Sequence, residues 1–441
     1  MARRRKKLPA DPVDATIESL SPEGRGVSHV DGKTIFIAGA LSGEQVKFVY
    51  DNIRAKFSEG HTIEVIEPSP ERIEPKCEYA AICGGCSLQH MDAEAQIQHK
   101  QSVLLGHFQN LADIQPTEVL PPLTGPLWGY RKKARLGVRY VRKKERVLVG
   151  FREKNSSFLA DMKQCEVLHP SVGHHLMDLS ELIGDLACFD KIAQIEVAVD
   201  DTHTCLILRN LVDLNKDDQK KLTDYAKANN IDLYLQPKGP DSIELLWPES
   251  SSLSYSVEEG INVYFKPADF TQVNTEINKK MVARAIDLLQ LEKSDHILEL
   301  FCGLGNFTLP LAKRVSTVVG VEGDKGLIER AMENAQRNNI ENITYHVANL
   351  MEDVTNAQWL RNVSYNKILI DPPRSGAIEV LPHIVKLSVD RILYISCNPA
   401  TLARDTNYLV NEAGYQLTKA GVMDMFPHTA HVESIAVFDK K

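Results

Sequence analysis

Three side chains late in the sequence could do chemistry together. Cys397 follows the apolar run of Arg391-Ile-Leu-Tyr-Ile-Ser-Cys-Asn-Pro399, Asp371 opens an Asp-Pro-Pro element, and Glu433 closes His428-Thr-Ala-His-Val-Glu433. A thiolate can add to an electron-poor ring carbon, and a carboxylate can later take a proton so that the thiol leaves. A packed structural thiol is the competing reading of Cys397, because free cysteines are commonly buried. An ordinary strand carboxylate is the competing reading of Glu433. Ser396, Asn398 and Pro399 beside Cys397 favour a reactive strand end, whereas Cys302 is assigned to packing.

A cofactor turn lies upstream. His296-Ile-Leu-Glu-Leu-Phe-Cys-Gly-Leu-Gly-Asn-Phe-Thr-Leu-Pro-Leu-Ala312 reads as strand, Gly-rich turn and helix, with Gly303 and Gly305 letting backbone approach a ligand. The next apolar run, Thr317-Val-Val-Gly-Val-Glu322, ends in a carboxylate 19 positions after Gly303, suited to ribose hydroxyls. The turn has neither a full G-x-G-x-x-G nor a Walker Gly-Lys-Ser/Thr, which disfavours a dinucleotide or a triphosphate. Glu299, Phe301, Asn306, Glu322 and Asn349 are similar to the pocket of a class I S-adenosylmethionine methyltransferase.

A methyl donor, a thiol and a carboxylate fit one reaction well. The C5 carbon of uracil is a poor nucleophile until something adds at C6, and thiolate addition there makes it reactive. Asp371-Pro-Pro also suits enzymes that methylate the amino group of adenine, so the element does not choose the target atom. Cys397, delivered by the following strand, does.

These residues need an α/β domain to position them. From about Pro267 onward, Val273, Ile277, Met281, Ala285 and Leu288 share one helical face, and apolar strands then alternate with helices. Residues 13–67 read as short Gly-punctuated strands, hence a small β-barrel, and 68–75 as a Pro-rich linker. A polar helix is expected near 91–112. The chain has 441 residues, 43% of them apolar, and a net charge of −8, which excludes a uniformly basic coat. No run approaches the roughly 18 apolar residues of a spanning helix, and no secretory signal is read. A cytoplasmic protein is expected.

Charge is nonetheless clustered. Arg3 to Lys7 is basic, and Trp128 to Arg146 carries nine basic residues, one acidic residue and three aromatics. The second cluster, Arg131, Lys132 and Lys133 included, is expected to meet RNA phosphates, with aromatics stacking on unpaired bases. Cys77, Cys83, Cys86 and Cys165 form a further set of four soft ligands. Their spacing admits Zn²⁺ or an iron–sulfur cluster, and a redox Cys-x-x-Cys is the rival for Cys83 and Cys86.

Taken with these motifs, nearly the whole chain resembles the bacterial RNA uracil-C5 methyltransferases. The resemblance implies a multidomain α/β protein: a TRAM (OB-like) β-barrel at 8–67 that binds RNA, a central α+β domain at 68–262, and a Rossmann-like catalytic domain at 263–441. It also implies that residues near 93–125 pack with the catalytic domain. By residue-wise match, Gln272 in Phe270-Thr-Gln272, Phe301, Asn306, Glu322, Asn349 and Asp371 would contact S-adenosylmethionine, with Cys397 the nucleophile and Glu433 the base. The four cysteines would hold a [4Fe-4S] cluster, the RNA partner would be 23S rRNA, and a monomer without an obligate protein partner is expected. The rivals are a tRNA uridine methyltransferase, a non-catalytic ribosome-assembly factor that binds RNA, and a small-molecule methyltransferase. The barrel and the cysteine set argue against the first, and the complete set of reactive residues against the second. The third leaves the barrel and the basic run unexplained.

Overall fold

The computed structural model describes residues 8–9, 11–361 and 364–441. The basic run Arg3 to Lys7 lies outside the described residues.

The amino-terminal strands form one six-stranded sheet in the order β1-β5-β6-β4-β3-β2: β1 (Val13–Thr16), β2 (Ser19–Leu20), β3 (Gly26–Val30), β4 (Lys33–Ala38), β5 (Gln45–Ile53) and β6 (Phe57–Glu67). β1 pairs with β5, and β2, only two residues further on, pairs with β3. The stretch from 13 to 20 therefore joins both edges and closes the sheet around Ile17, Ile35, Ile37, Val46 and Phe48. The segment 68–75 is less free than its composition suggests. Arg72 reaches back into the sheet, where the fully buried Glu44 accepts from its Nε at 2.5 Å and its Nη2 at 2.8 Å.

The helix α1 (Ala93–Ala112) follows, capped by Asp92, whose side chain accepts from the Glu94 N–H. After β7 (Glu118–Val119), a second sheet of order β13-β12-β11-β10-β8-β9 contains β8 (Lys133–Val141), β9 (Arg146–Gly150), β10 (Ile192–Val199), β11 (Thr204–Asn210), β12 (Ile231–Leu235) and β13 (Glu244–Trp247). A hairpin of β14 (Leu253–Glu258) and β15 (Ile261–Phe265) leads into the last sheet. A boundary at 262/263 would cut β15, and Ile261, Val263 and Phe265 pack into the same apolar cluster as Ile297 and Val318.

That last sheet holds β16 (His296–Leu300), β17 (Thr317–Glu322), β18 (Ile343–Val347), β19 (Lys367–Ile370), β20 (Arg391–Ser396), β21 (Tyr415–Met423) and β22 (Glu433–Lys440). Its order is β18-β17-β16-β19-β20-β22-β21-β7. The first five strands are parallel, while β22 runs antiparallel to both β20 and β21. The order reverses between β16 and β19, the switch point at which such sheets bind ligands beyond their carboxyl ends. Helix Thr275–Leu289, capped by Asn274, packs one face through Ile277, Met281 and Ala285. On the other face α1 buries Ile97, Leu104 and Phe108, and β7 pairs with β21 as the outermost strand. No helix among the described residues is long and apolar enough to cross a membrane.

Candidate active site

At the switch point a cavity of about 650 Å³ opens, and all eight residues marked as cofactor-binding or catalytic line it: Gln272, Phe301, Asn306, Glu322, Asn349, Asp371, Cys397 and Glu433. Local geometry explains how each arrives. β16 ends at Leu300, and Phe301 then turns the chain with a φ of 62°, a left-handed conformation that costs a non-glycine residue on the order of 1–3 kcal/mol. The peptide is held there because the Cys302 N–H donates to the Val321 carbonyl at 3.1 Å. Gly303 has a φ of 54°, and a Cβ there would meet nothing within 4 Å, so conformation rather than space requires glycine. Glu322, at the end of β17, accepts from Gly303 N–H at 3.1 Å and Gly323 N–H at 2.7 Å, which sets its carboxylate at the turn.

Asn306 is locked by a reciprocal amide pair. It accepts from Asn278 Nδ2 at 2.9 Å and donates to Asn278 Oδ1 at 3.0 Å, while the Tyr255 hydroxyl donates to it at 3.2 Å. Asn349 accepts from the Met351 N–H and donates to Glu352. Beneath the turn lies Glu299, 1% exposed, with neither carboxyl oxygen hydrogen-bonded. The Thr308 hydroxyl lies near it without completing a bond. Burial, reinforced by Asp371 and Glu322, pushes Glu299 up to about 8.

Cys397 and Glu433 owe their juxtaposition to strand register. Ser396, the last residue of β20, sits opposite Ser434 of β22, so the next residue of one strand and the preceding residue of the other emerge side by side. The Ser434 hydroxyl donates to the Ser396 carbonyl at 3.1 Å and fixes that register. Asp371 leaves β19 next to Leu300, to whose carbonyl its N–H donates at 3.3 Å. The turn beyond it needs Gly376: φ is 81°, and a Cβ would sit 2.5 Å from Arg404 Nη2 and 2.7 Å from Asp405 Oδ2.

The electrostatics raise the acidic groups of this site above their ordinary values. Burial, then the nearby Glu433 and Asp371, pushes the Cys397 thiol up to about 11, with the Arg374 guanidinium opposing. Burial and Asp371 push Glu433 up to about 8, again against Arg374. Asp371, open only to the cavity, is raised to about 7 by burial and Glu322. Several carboxyls and one thiol thus crowd a space in which Arg374 is the opposing cation. Such a site favours a positively charged guest, because an added cation stabilises every ionised form at once.

Sequence reasoning missed Arg374, His431 and Tyr255. Arg374 directly follows Asp371-Pro-Pro and His431 lies within His428 to Glu433, yet their meeting depends on two loops converging: Arg374 Nη2 donates to His431 Nδ1 at 3.0 Å. Burial and Arg374 lower His431 to about 4, which leaves that nitrogen free to accept.

Elsewhere, Cys77, Cys83 and Cys165 are buried and Cys86 is half-buried, within electrostatic reach of one another. The Gly85 N–H donates to Cys83 Sγ at 3.4 Å, and the backbone N–H groups of Tyr79 near Cys77 and of Val167 and Leu168 near Cys165 favour the ionised sulfurs. Among the described residues no three His, Cys, Asp or Glu side chains converge as the ligands of one metal ion would.

The basic run divides in two, which corrects one expectation. Lys132 pairs with Asp201 at 2.9 Å, Lys133 Nζ donates to the Pro267 carbonyl at 2.6 Å, and Arg131 Nε donates to the Lys133 carbonyl. Lys132 and Lys133 thus point their ammonium groups into the protein, while Arg131 commits only its Nε. Arg139, Arg142 and Lys143, on and after β8, are exposed.

Residues 190–441 match the family model described as tRNA (Uracil-5-)-methyltransferase. The chain is 50% identical to the 23S rRNA (uracil(1939)-C(5))-methyltransferase RlmD of Nitrosococcus oceani, over 99% of this chain and 98% of that protein. It is 51% identical to the protein of the same name from Francisella tularensis subsp. novicida, over 100% and 99%. Among solved structures, the Pyrococcus abyssi tRNA (uracil-54, C5)-methyltransferase in complex with S-adenosyl-L-homocysteine is similar in fold, with a TM-score of 0.74 and 21% identity, over 96% of this chain and 99% of that one.

Proposed function

The chain belongs to the family of RNA uracil-C5 methyltransferases, and from that premise we propose that it methylates C5 of a uridine in 23S rRNA at the site its RlmD relatives are named for. The observation that carries the reading is the single cavity shared by the Gly-rich turn, Asp371, Cys397 and Glu433. S-adenosylmethionine, when bound, supplies an electrophilic methyl group on a sulfonium. The residues suit that cation: unpaired Glu299 and raised Asp371 and Glu433 ionise more readily beside a positive charge. Gln272, Phe301, Asn306, Glu322, Asn349 and Asp371 are assigned to its binding.

Cys397 is assigned as nucleophile and Glu433 as base. The Cys397 thiolate adds to C6 of uracil, and the ring electrons displaced onto the C4 oxygen make C5 able to take the methyl group. Glu433 then removes the C5 proton, the C5–H electron pair forms the C5–C6 double bond, and the C6–S bond breaks to release thiolate. The thiol, raised to about 11, needs help to ionise, and Arg374 is the group placed to give it.

Residues 8–67 are read as a TRAM β-barrel that binds RNA, 68–262 as the central domain and 263–441 as the catalytic domain, with α1, β7 and the β14–β15 hairpin packed with the last. Cys77, Cys83, Cys86 and Cys165 would be the thiolate ligands of a [4Fe-4S] cluster; four soft donors within electrostatic reach of one another support that assignment, and the four would have to draw closer to hold it. A monomer working on rRNA in the cytoplasm completes the reading. The test is methyl transfer to a 23S rRNA fragment and to tRNA by the full chain. Transfer to one uridine of the rRNA fragment is expected, abolished by Cys397→Ala with S-adenosylmethionine affinity unchanged. Turnover by Cys397→Ala, or a preference for tRNA, would overturn it.

A further inference from the structure

The loop between β21 and β22 ends on Glu433, and it is held from outside the catalytic sheet. At its centre His428 is 2% exposed, although its φ of 66° is one that a non-glycine residue adopts at a cost. Its carbonyl accepts two backbone N–H groups, from Ser87 and Leu88, both at 2.9 Å, and these follow Cys86 directly in the chain. Its own N–H donates to Gln96 Oε1 of α1 at 2.8 Å.

The ring is equally committed. Nε2 lies 3.1 Å from the Leu127 carbonyl, so it carries the proton and donates, and the ring stacks on Trp128 at 4.0 Å with planes 26° apart. Burial lowers His428 to about 4, so the ring is neutral as this geometry requires. A loop with only local contacts would need none of these partners, which come from parts of the chain 300 or more residues away.

We infer that His428 is a positioning residue for Glu433: it clamps the base-bearing loop to the segment that begins at Cys86, and the proton-removal step depends on that clamp. The inference rests on the reading of Glu433 as base. Of the steps at the ring, thiol addition and methylation use Cys397, which follows the last residue of β20 and lies outside this loop. The last step, in which Glu433 takes the C5 proton and the C6–S bond breaks, uses a residue this loop carries directly, whereas the loop reaches the earlier steps only through the His431–Arg374 contact.

The steps separate with two RNAs. On RNA carrying 5-fluorouridine at the target, the fluorine cannot leave as a proton would, so a covalent protein–RNA adduct reports addition and methylation alone. On ordinary RNA, product release also reports elimination. His428→Gly accepts the backbone angle and removes only the ring. We expect it to form the fluorouridine adduct at close to the wild-type rate while product release slows about 100-fold, as for a misplaced catalytic group, with adduct persisting on ordinary RNA. Gln96→Ala, which loosens the same clamp from α1, should do the same to a lesser degree and serves if His428→Gly does not fold. Equal loss on both RNAs, or loss on neither, overturns the inference. If the wild-type protein forms no adduct with fluorouridine RNA, the covalent reading itself falls instead.

Discussion

Cys397 and the set of Cys77, Cys83, Cys86 and Cys165 are all at least half-buried and all pushed above their ordinary pKa, yet they are built for opposite ends. Cys397 faces Glu433 and Asp371, two carboxyls that hold its proton on, with Arg374 opposing them. Cys86 and Cys165, raised by burial to about 12 and about 11, have mainly other cysteines as charged neighbours, and backbone N–H groups point at the sulfurs of their set. In the first setting a proton can be passed between a thiol and a nearby base, which is what addition followed by elimination requires. In the second, four thiols can lose their protons together only if a metal centre replaces them. Desolvation is shared, and the neighbours decide the chemistry.

The largest effect that sharpens this contrast is on metal content. The full chain purified without oxygen should be brown, with iron and acid-labile sulfide near about four each. Cys86→Ser should lose most of both, whereas Cys397→Ala should lose neither. Elemental analysis and the visible spectrum decide it. A colourless preparation holding one zinc would replace the cluster with a structural zinc site, and equal iron loss in both variants would erase the distinction between the two settings.

Much of the catalytic setting was legible in sequence because it is local. Each reactive residue sits just past an apolar strand or opens one, and parallel sheets gather such positions at one edge. Asp371-Pro-Pro, Ser396-Cys397 and the Gly-rich turn therefore predicted their own convergence. What was not legible came from long separations. Lys100 and Asp424, 324 residues apart, form an ion pair at 2.7 Å with side chains only 1% and 3% exposed, and no periodicity announces such a pair. Nor could spacing show that Lys132 and Lys133 turn inward while Arg139, Arg142 and Lys143 face solvent.

A second test sits within the catalytic setting. Glu299 is ordinarily near 4.5 and stands at about 8 in the fold, so the folded protein keeps a proton that the unfolded chain releases. Its contribution is intact below about 4.5, falls as pH rises through the interval, and is fully lost above about 8. Glu299→Gln cannot lose that proton. Whatever constant cost the buried amide carries, its melting temperature relative to wild type should rise by about 4 °C or more between pH 5 and pH 8.5 without cofactor. A pH-independent difference between the two proteins would mean that Glu299 is already ionised and paired.

The smallest expected effect concerns the basic hairpin, and it compares its two halves. Arg139, Arg142 and Lys143 are exposed, and none of them forms an ion pair among the described residues. If each neutralises one phosphate of unpaired RNA, changing all three to Gln should lower the salt slope of RNA binding by about 2, since each contact releases about 0.7 counterions. Folding and S-adenosylmethionine affinity should not change, because these side chains touch neither the core nor the cavity. Changing Lys132 and Lys133 to Gln should act the other way. The Asp201 partner and the Pro267 carbonyl would lose their donors, so stability should drop by about 1–3 kcal/mol while the salt slope stays near wild type. Binding titrations across a salt series, with thermal melts of the same proteins, separate the two outcomes. A slope that falls only with Lys132 and Lys133 would return RNA contact to the inward-facing half.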